Sequence, residues 1–426
     1  MSPIDEPAAV HFPCDTTRDA PLPNLEPVSA GERIVTLDIL RGFAVLGILV
    51  MNIQAFSMIG AAYLNPSAFG NLEGANYLVW YLSHLFADQK FMTIFSMLFG
   101  AGIVLMWQRA QAVGRKSTGL HYRRMFWLMV FGLMHAYLLW HAEILFTYGF
   151  CGLFVYWFRK LRPTPLLIVG LIILSVSPAL SLMAGYTMPF WPEEQLQEME
   201  SQTWRLSPEA IENEVSNFQG SWSQQMQSRV PAALGMHTGA MIFWSFWRVC
   251  GLMLIGMALF KLGVFSAARS PGFYLTWIVL AVVIGLPIVM YGAYRNFAEA
   301  WDLSRFFFGG IANYWGSLFV GMGWVSVLML ACLSDGLQRT KQALGAVGRM
   351  ALTNYIMQTI ICTTIFYGHG FGYFGEVSRV GQILIVFAVW VFQMPFSVIW
   401  LRHFRFGPFE WLWRTLSYMK LQPMRA

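Results

Sequence analysis

The side chains best suited to chemistry are a few histidines and carboxylates that interrupt long apolar runs. Imidazole moves protons near neutral pH, and a neighbouring carboxylate can orient it. His135 lies late in one apolar run, and Glu143 follows at the next turn. On one straight helix the two would lie about 12 Å apart along the axis. Unless the chain bends between them, we expect a different partner for His135, with Asp88 one candidate. A histidine that makes only an interhelical hydrogen bond is the competing interpretation.

Other polar residues are predicted to share an outer level of a membrane bundle with His135. Asp88 and Lys90 open one apolar run, and Arg248 lies within another. Ionisable residues inside a membrane are costly and mark functional sites by default. Candidate catalytic residues are therefore His135, Asp88 and Glu143. Candidate substrate-binding residues are Lys90 and Arg248, together with Asn354 and Gln358, which share a face of a later helix.

A second polar group is predicted at the cytosolic level. Asp38 and Arg41 lie early in the first apolar run, and Arg123 and Arg124 open another. Positions 38, 41, 45, 48 and 52 share one helix face, which adds Asn52. Guanidinium groups bind phosphate in a bidentate fork, so this set is the candidate cofactor-binding group. The competing interpretation is a buried Asp38–Arg41 pair that fixes packing, with Arg123 and Arg124 as membrane-surface anchors.

Several kinds of site are not indicated by the sequence. It contains no HxxxH, ExxH or CxxC pattern, so we expect no metal. It also lacks a Walker loop, GxGxxG and GxSxG, which argues against ATP hydrolysis, dinucleotide binding and a serine hydrolase. The net charge of +6 does not suggest nucleic acid. We interpret the five cysteines, at positions 14, 151, 250, 332 and 362, as small hydrophobic residues without disulfides.

Composition sets the fold class that must position these residues. The chain of 426 residues is 57% hydrophobic and 12% charged, whereas soluble domains carry about 25% charge. It is therefore predicted to be an all-α polytopic membrane protein, a bundle of about ten transmembrane helices with an acidic helical outer loop. Spans need about 20 apolar residues, and the ten candidates are 37–58, 88–108, 123–141, 144–158, 164–185, 237–260, 273–294, 306–333, 345–367 and 380–401.

Charge placement predicts the orientation of the bundle. The linkers 109–124, 159–163 and 334–349 are rich in Lys and Arg, as is the tail after residue 401. The positive-inside rule places these linkers and both termini in the cytosol. This alternation requires 123–158 to be a hairpin of two helices. The hairpin is short, so we expect one or both of its helices to tilt little or to stop short of a full crossing.

The chain divides into five predicted regions. They are a flexible cytosolic tail (1–36) without a cleavable signal, an N-terminal transmembrane half (37–185), an extracytoplasmic acidic segment (186–235), a C-terminal transmembrane half (236–401) and a basic cytosolic tail (402–426). The acidic segment should form short helices after Pro192 and Pro208 and cap the outer face, either as a lid or as a solvated loop. The stretch 400–414 is basic and aromatic, as in an interfacial anchor.

Five ordered blocks of this sequence resemble the YeiB-like membrane proteins, the family known as domain of unknown function 418. The blocks are Arg33-x3-Leu37-Asp-x-Leu-Arg-Gly-x4-Gly47-Ile-x3-Asn52, Asp88-x-Lys-Phe-x3-Phe-Ser-x-Leu-Phe-Gly100, His135 with Trp140-x2-Glu143-Ile-Leu-x2-Tyr148, Gly348-Arg-x-Ala-Leu-Thr-Asn-Tyr-x2-Gln358 and Phe406-Gly-Pro-Phe-Glu-Trp-Leu-Trp-Arg414. The family usually has Gly-Asp where this chain has Ala142-Glu143. The resemblance implies a bacterial cytoplasmic (inner) membrane protein.

The first block is also similar to that of membrane acyltransferases of the heparan-alpha-glucosaminide N-acetyltransferase type. That resemblance implies transfer of an acetyl group from cytosolic acetyl-CoA to an amine or hydroxyl on the far side. The histidine held to be catalytic there lies in the outer loop after helix 1. This chain has no His between Asn52 and Tyr81, and the nearest is His84, which joins the candidate catalytic residues.

Three functional hypotheses follow. The first is a transmembrane acyltransferase that uses acetyl-CoA or another acyl-CoA, with His135 or His84 as base, Asp88 orienting it, and a small-molecule or glycan acceptor. It requires charged side chains from distant segments to line one cleft. The second is a small-molecule transporter or flippase, with or without proton coupling. The third is a non-catalytic membrane partner protein. The oligomeric state stays open, a homodimer included.

Overall fold

The computed structural model of the protein describes residues 34–425. The predicted flexible tail and Cys14 therefore lie outside the described residues. The helices are α1 (Val35–Ser57), α2 (Ala61–Leu64), α3 (Gly74–Phe86), α4 (Lys90–Ala112), α5 (Thr118–Leu138), α6 (Leu145–Val155), α7 (Pro163–Thr187), α8 (Glu193–Thr203), α9 (Pro208–Gln219), α10 (Trp222–Gly235), α11 (Phe246–Lys261), α12 (Pro271–Leu280), α13 (Leu286–Ala298), α14 (Leu303–Leu333), α15 (Gln338–Arg349), α16 (Ala351–Phe366), α17 (Arg379–His403) and α18 (Pro408–Tyr418).

Shorter 3-10 segments follow α6 and α7, at Tyr156–Lys160 and Met188–Phe190. Two π-helical segments, Met236–Ser245 and Ala281–Gly285, join α10 to α11 and α12 to α13. Within residues 34–425, β pairing is confined to one isolated bridge between Phe404 and Arg425.

The predicted fold class is confirmed: the protein is an all-α polytopic membrane protein. Seven stretches of the described chain are long and apolar enough to cross a membrane: Val35–Ser57, Gly74–Ala112, Pro163–Phe190, Trp222–Lys261, Pro271–Ala298, Leu303–Leu333 and Arg379–His403. The other three predicted spans are helical but do not reach that length and hydropathy. α5 carries Arg123 and Arg124, α6 has 11 residues, and 345–367 is divided at Met350 into α15 and α16.

Successive long helices alternate in direction, so the basic linkers meet at one end of the bundle. This basic end comprises residues 109–124, 159–163, 261–270, 334–349 and 402–425. Arg123 Nε donates to the carbonyl of Ser417 at 2.8 Å, and Lys261 Nζ donates to the carbonyl of Leu161 at 2.6 Å. The requirement that 123–158 form a hairpin is also met, because α5 and α6 are separate helices packed on each other.

The acidic segment packs onto the opposite end. The two predicted short helices are present: α8 begins after Pro192 and α9 begins at Pro208. The side chain of Ser207 caps the N-terminus of α9. Trp204 Nε1 donates to the carbonyl of Trp301 at 2.7 Å, and Gln219 Nε2 donates to the carbonyl of Phe374 at 2.8 Å. The segment is therefore docked on the loops that join the long helices.

Glycine contacts bring pairs of helices into close approach. A Cβ on Gly100 of α4 would collide with the carbonyl of Met253 on α11, and one on Gly256 would collide with the carbonyl of Met97. A Cβ on Gly42 of α1 would likewise meet the carbonyl of Leu344 on α15. Such small-residue contacts allow helix backbones to pack closely. Close packing matters in a membrane, because the hydrophobic effect does not drive apolar helices together there.

The span Gly74–Ala112 is broken. α3, which the sequence analysis missed, ends at Phe86, and α4 starts at Lys90 after a residue in the left-handed region, Gln89 (φ 64°). A Cβ on Gly47, near the middle of α1, would meet the ring of Phe91, so the break lies near mid-depth of the bundle. The placement of Asp88 and Lys90 at the outer level was therefore wrong. Non-helical backbone at this depth is tolerated only inside protein.

The chain reverses after α17, and α18 docks on the bundle. Trp413 Nε1 donates to the carbonyl of Arg124 at 3.0 Å. The buried carboxylate of Glu410 accepts from the backbone N–H groups of Leu352 and Thr353 at 2.6 and 3.1 Å, so it caps α16. Burial raises the pKa of Glu410 above its ordinary value. The expected interfacial anchor is thus also a structural support for α16.

Candidate functional site

A histidine–aspartate pair lies at the break between α3 and α4. His84 Nδ1 and Asp88 Oδ2 are 3.1 Å apart, and their side chains are 12% and 15% exposed. Asp88 Oδ2 also accepts from Asn313 Nδ2 on α14 at 2.7 Å. The (i, i+4) spacing puts both side chains on one face of the last turn of α3. A ring held through Nδ1 presents Nε2 for proton transfer.

Lys90 supports the same break from inside the bundle. Its side chain is fully buried, and Nζ donates to the carbonyl of His84 at 2.7 Å and to Asn313 Oδ1 at 2.6 Å. The ammonium therefore satisfies a carbonyl that the interrupted helix leaves without its usual partner. Asn313 bridges the two residues: its Oδ1 accepts from Lys90 and its Nδ2 donates to Asp88. Because one partner is a donor and the other an acceptor, the orientation of the amide is defined.

Arg248 of α11 lies near these residues and is fully buried. Its Nη2 donates to Thr93 Oγ1 at 2.9 Å and to Ser317 Oγ at 2.7 Å, and its guanidinium lies 4.4 Å from the centre of the Tyr314 ring. Among the described residues its Nε has no hydrogen-bond partner, and no carboxylate lies within 4.0 Å.

Lys90 and Asp88 share Asn313 as a hydrogen-bond partner, and Arg248 bonds to Thr93 in the first turn of α4. Two basic side chains therefore lie near one carboxylate. Inside a low-dielectric bundle, such an imbalance attracts anionic groups strongly. Arg248, like Asp88, lies deeper than the predicted outer level, because it bonds to Thr93, three residues after the start of α4 at the break.

His135 has partners other than Asp88, so the expected pairing was wrong. The chain does bend between α5 and α6, and this brings His135 Nδ1 to 3.9 Å from Glu143 Oε2. His135 Nε2 is 2.8 Å from Thr359 Oγ1 on α16. Glu143 also accepts from the N–H groups of Leu145 and Phe146 at 2.7 and 2.9 Å, which caps α6.

A second imidazole reaches the same carboxylate. His237 Nε2 lies 3.6 Å from Glu143 Oε1. His135 is only 2% exposed and has a partner at one ring nitrogen, whereas the His84 and Asp88 side chains retain some exposure. The geometry therefore favours His84 over His135 as a base that an acceptor can reach.

Four of the five candidate cofactor-binding residues lie at or beside the basic end, and two of them form an ion pair. Arg41 Nη1 donates to Asp38 Oδ1 at 2.8 Å, with 31% of the Arg41 side chain exposed. The guanidinium of Arg124 lies 4.4 Å from the centre of the Trp413 ring on α18. Arg123 is exposed and points to α18. Asn52 lies about 16 Å from Arg41 along α1, so the structure separates it from this group.

Asn354 and Gln358 belong to an interhelical network. Asn354 Nδ2 donates to Ser397 Oγ at 3.0 Å, and Gln358 Nε2 donates to Gln393 Oε1 at 3.0 Å and to the carbonyl of Val45 at 3.2 Å. These bonds tie α16 to α17 and α1 and use the amide donors that were assigned to substrate. Gln393 and Ser397, four residues apart on α17, were missed, although their polarity in an apolar run was a usable signal.

Asp38, Asp88 and His135 have separate sets of partners on different helices. Asp38 pairs with Arg41, Asp88 with His84 and Asn313, and His135 with Thr359 and Glu143. These contacts do not support the expected single cleft lined by all three. Asn313, Ser317, Thr93 and Thr359 were missed, and each is a polar residue within an apolar helix. Within residues 34–425, no three His, Cys, Asp or Glu side chains are grouped so that they could hold a metal ion.

Comparisons with known proteins give consistent matches. The family profile "Protein of unknown function (DUF418)" matches residues 259–420. "Uncharacterized protein YeiB" of Escherichia coli (strain K12) is 34% identical over 403 residues, covering 91% of this chain and 96% of the relative. "Uncharacterized protein YxaH" of Bacillus subtilis (strain 168) is 31% identical over 423 residues, covering 94% and 98%. A 39.9 kDa protein of Bacillus acidopullulyticus is 26% identical over 400 residues, covering 94% and 98%.

Proposed function

The chain belongs to the YeiB-like DUF418 family of membrane proteins, and we propose that it is a transmembrane acyltransferase. It moves an acyl group, acetyl being the simplest, from cytosolic acyl-CoA to a hydroxyl or amine acceptor that enters from the other side. One observation carries the proposal: the His84–Asp88 pair at a mid-depth break, with His84 Nε2 bonded to no described protein group.

His84 acts as the general base in this proposal. Its Nε2 takes the proton from the acceptor as the acceptor oxygen or nitrogen attacks the thioester carbonyl carbon, and Asp88 stabilises the imidazolium that forms. The tetrahedral intermediate then collapses, the carbon–sulfur bond breaks, and the leaving thiolate takes the proton from His84. The products are CoA thiol and an ester or amide, so atoms and charges balance without an oxidant or a metal.

Lys90 and Arg248 provide electrostatic support for this step. The attack places negative charge on the thioester oxygen, and two buried cations close to Asp88 favour a state that carries additional negative charge. Arg248 has an N–H group without a protein partner among the described residues, which leaves a donor available for that oxygen.

The basic end supplies the binding group for the donor. Arg41 and Arg124 both lie on that side of the bundle, and their guanidinium groups suit the phosphates of CoA. Along α1, Arg41 lies about 9 Å from Gly47, which faces the Phe91 ring next to the break. An extended thioester arm anchored at Arg41 therefore needs to reach only the middle of the bundle.

We also propose that the basic end faces the cytosol of a bacterial cell, with the protein in the cytoplasmic membrane, on the positive-inside rule. Single-cysteine variants of a cysteine-free protein test this orientation in intact cells. Lys116→Cys should react with an impermeant thiol reagent only after lysis, and Glu209→Cys should react before it. The reverse pattern contradicts the orientation and the direction of transfer.

CoA binding to the purified protein in lipid nanodiscs is the direct test of the donor site. Titration calorimetry should detect CoA binding to the wild type and weaker binding to Arg41→Gln, because a charge-assisted contact to phosphate is lost. Arg123→Gln is the matched control, since Arg123 is exposed and turned toward α18. Absence of binding at millimolar CoA contradicts the proposal.

A second candidate function is transport of an anionic solute, with or without proton coupling. The observation that favours it is the broken span Gly74–Ala112, whose break adjoins two buried cations and one carboxylate. Discontinuous helices at mid-depth form substrate sites in transporters. Accumulation of a labelled organic anion in proteoliposomes, with no acyl product, would support this function over acyl transfer.

A further inference from the structure

A small, partly open cavity lies between α1, α3 and α17. Its polar lining consists of Gln54, Ser83, Arg379 and Gln382, and its apolar lining of Val50, Ile53, Val79, Trp80 and Ile383. The cavity is away from the basic end, because Gln54 lies near the end of α1 and Arg379 is the first residue of α17.

Arg379 is the charged group of this cavity and is only 1% exposed. Its Nη1 donates to Gln54 Oε1 at 2.9 Å, and its Nη2 donates to the carbonyls of Pro66 and Phe69 at 2.9 and 3.4 Å. All of these acceptors are neutral. In the part of the chain that the structure describes, Nε has no partner and no carboxylate lies within 4.0 Å of Arg379.

A buried cation without a counter-charge is costly unless an anion accompanies it. The N-terminus of α17, which starts at Arg379, adds positive potential and is itself suited to anions. The uncompensated charge, the unpartnered Nε and the cavity thus occur together, and this combination favours an anionic ligand.

The rest of the cavity suits an apolar chain. Val50, Ile53, Val79 and Ile383 give it an apolar wall. Beside it, Leu78 and Leu82 of α3 and Leu384 of α17 are 54%, 44% and 62% exposed, as expected of a lipid-facing surface. α17 is about 37 Å long, so a group at its first residue lies near the headgroup level of a bilayer.

We propose that this cavity binds a phosphate-bearing amphiphile, with an anionic phospholipid as its source. The phosphate bonds to Arg379 at the start of α17, and the first part of an acyl chain lies along Val79 and Ile383. The proposal does not rest on acyl transfer, because neither His84 nor Asp88 lines the cavity, although the Trp80 ring of its wall stacks on His84 with ring centres 5.2 Å apart.

Native mass spectrometry of the purified full chain tests the site. The protein is reconstituted in nanodiscs with equal phosphatidylglycerol and phosphatidylcholine, and the lipid that stays bound after release is identified. The wild type should retain phosphatidylglycerol preferentially. Arg379→Met should reduce that preference about tenfold, the effect of one lost charge-assisted hydrogen bond. Arg123→Gln, at the basic end, should leave it unchanged.

Two further arms keep the result decisive. Ile383→Trp places a larger side chain in the apolar wall and leaves Arg379 unchanged, so it should also release the lipid. This variant tests the site if Arg379→Met does not fold. Soluble glycerol phosphate at millimolar concentration should not displace the bound lipid, and full displacement would assign the site to a soluble phosphate. Equal retention of the two lipids by the wild type, or unchanged retention in a folded Ile383→Trp variant, overturns the proposal.

Discussion

The imidazole of His84 and the carboxylate of Asp88 meet at 3.1 Å where the span Gly74–Ala112 breaks. Asp88 lies just beyond the end of α3, four residues after His84, and also accepts from Asn313 on α14. In a continuous helix through residues 86–90, the carbonyl of His84 would accept from the backbone N–H of Asp88. Because the helix is interrupted, Lys90 Nζ donates to this carbonyl instead. The pair and the interruption therefore form one structural unit.

The bridge through Asn313 should be essential to that unit. Asn313→Leu keeps the approximate size but removes one hydrogen bond from Lys90 Nζ and one from Asp88 Oδ2, so each keeps only its contact with His84. We expect a loss of about 2–3 kcal/mol in the free energy of unfolding, measured in mixed micelles. Ser326→Ala on the same helix is the control, since the Ser326 hydroxyl is buried and has no partner to lose. Equal stability of the two variants would refute the bridging role.

Two glycines of α4 give a matched test of the packing between α4 and α11. A Cβ on Gly100 would collide with the carbonyl of Met253, whereas a Cβ on Gly102 meets nothing within 4 Å. Gly100→Ala should therefore reduce the free energy of unfolding by about 1–3 kcal/mol. Gly102→Ala should be neutral or stabilising by up to about 1 kcal/mol, because alanine favours helix. Similar effects at the two positions would show that the helices do not approach as described.

Glu410 should make the stability of the protein depend on pH. Burial raises its pKa above the ordinary value of 4.5, so the folded protein holds this proton to higher pH than the unfolded chain does. The folded state is therefore favoured at low pH, and its advantage at this site falls as pH rises from about 4.5 through the raised pKa. The measurement is the difference in unfolding free energy between the wild type and Glu410→Gln at each pH.

Because glutamine does not titrate, that difference isolates the carboxyl group. As pH rises over this interval, the unfolding free energy of the wild type should fall relative to that of Glu410→Gln. The contributions of other titrating groups are shared by both proteins and cancel. If this difference stays constant with pH, or if the wild type becomes more stable relative to Glu410→Gln as pH rises, burial does not govern the protonation of Glu410 in the cap of α16.

Hydropathy predicted much of the fold. All ten predicted spans are helical, because an apolar run in lipid has to satisfy its backbone internally. The α5–α6 hairpin also followed from the alternation of basic linkers. α3 was missed because it has 13 residues, too few to cross a membrane by itself, and the break after it carries no Pro or Gly. From hydropathy alone, Asp88 was therefore predicted to be the first residue of a span and to lie at the outer level of the bundle.

The site residues were found more readily than their partners. Ionisable side chains in apolar runs identified Asp88, Lys90, Arg248 and His135, because lipid makes such residues rare. Their contacts come from helices far apart in the chain, as with His135 and Thr359, which are 224 positions apart. The contact between His135 and Glu143 was expected only if the chain bends between them, and the turn after α5 supplies that bend and brings them to 3.9 Å. Periodicity cannot supply such distances.

The most direct test of the central claim is transfer of labelled acetyl from acetyl-CoA, supplied on the basic side of oriented proteoliposomes, to an amine and hydroxyl acceptor mixture on the other side. The wild type should form labelled product, His84→Gln should lower the rate by about 10²–10⁴, and Asp88→Asn should also lower it. His403→Gln, an exposed histidine at the basic end, should retain the wild-type rate. A His84→Gln protein that is folded and as active as the wild type would contradict the claim.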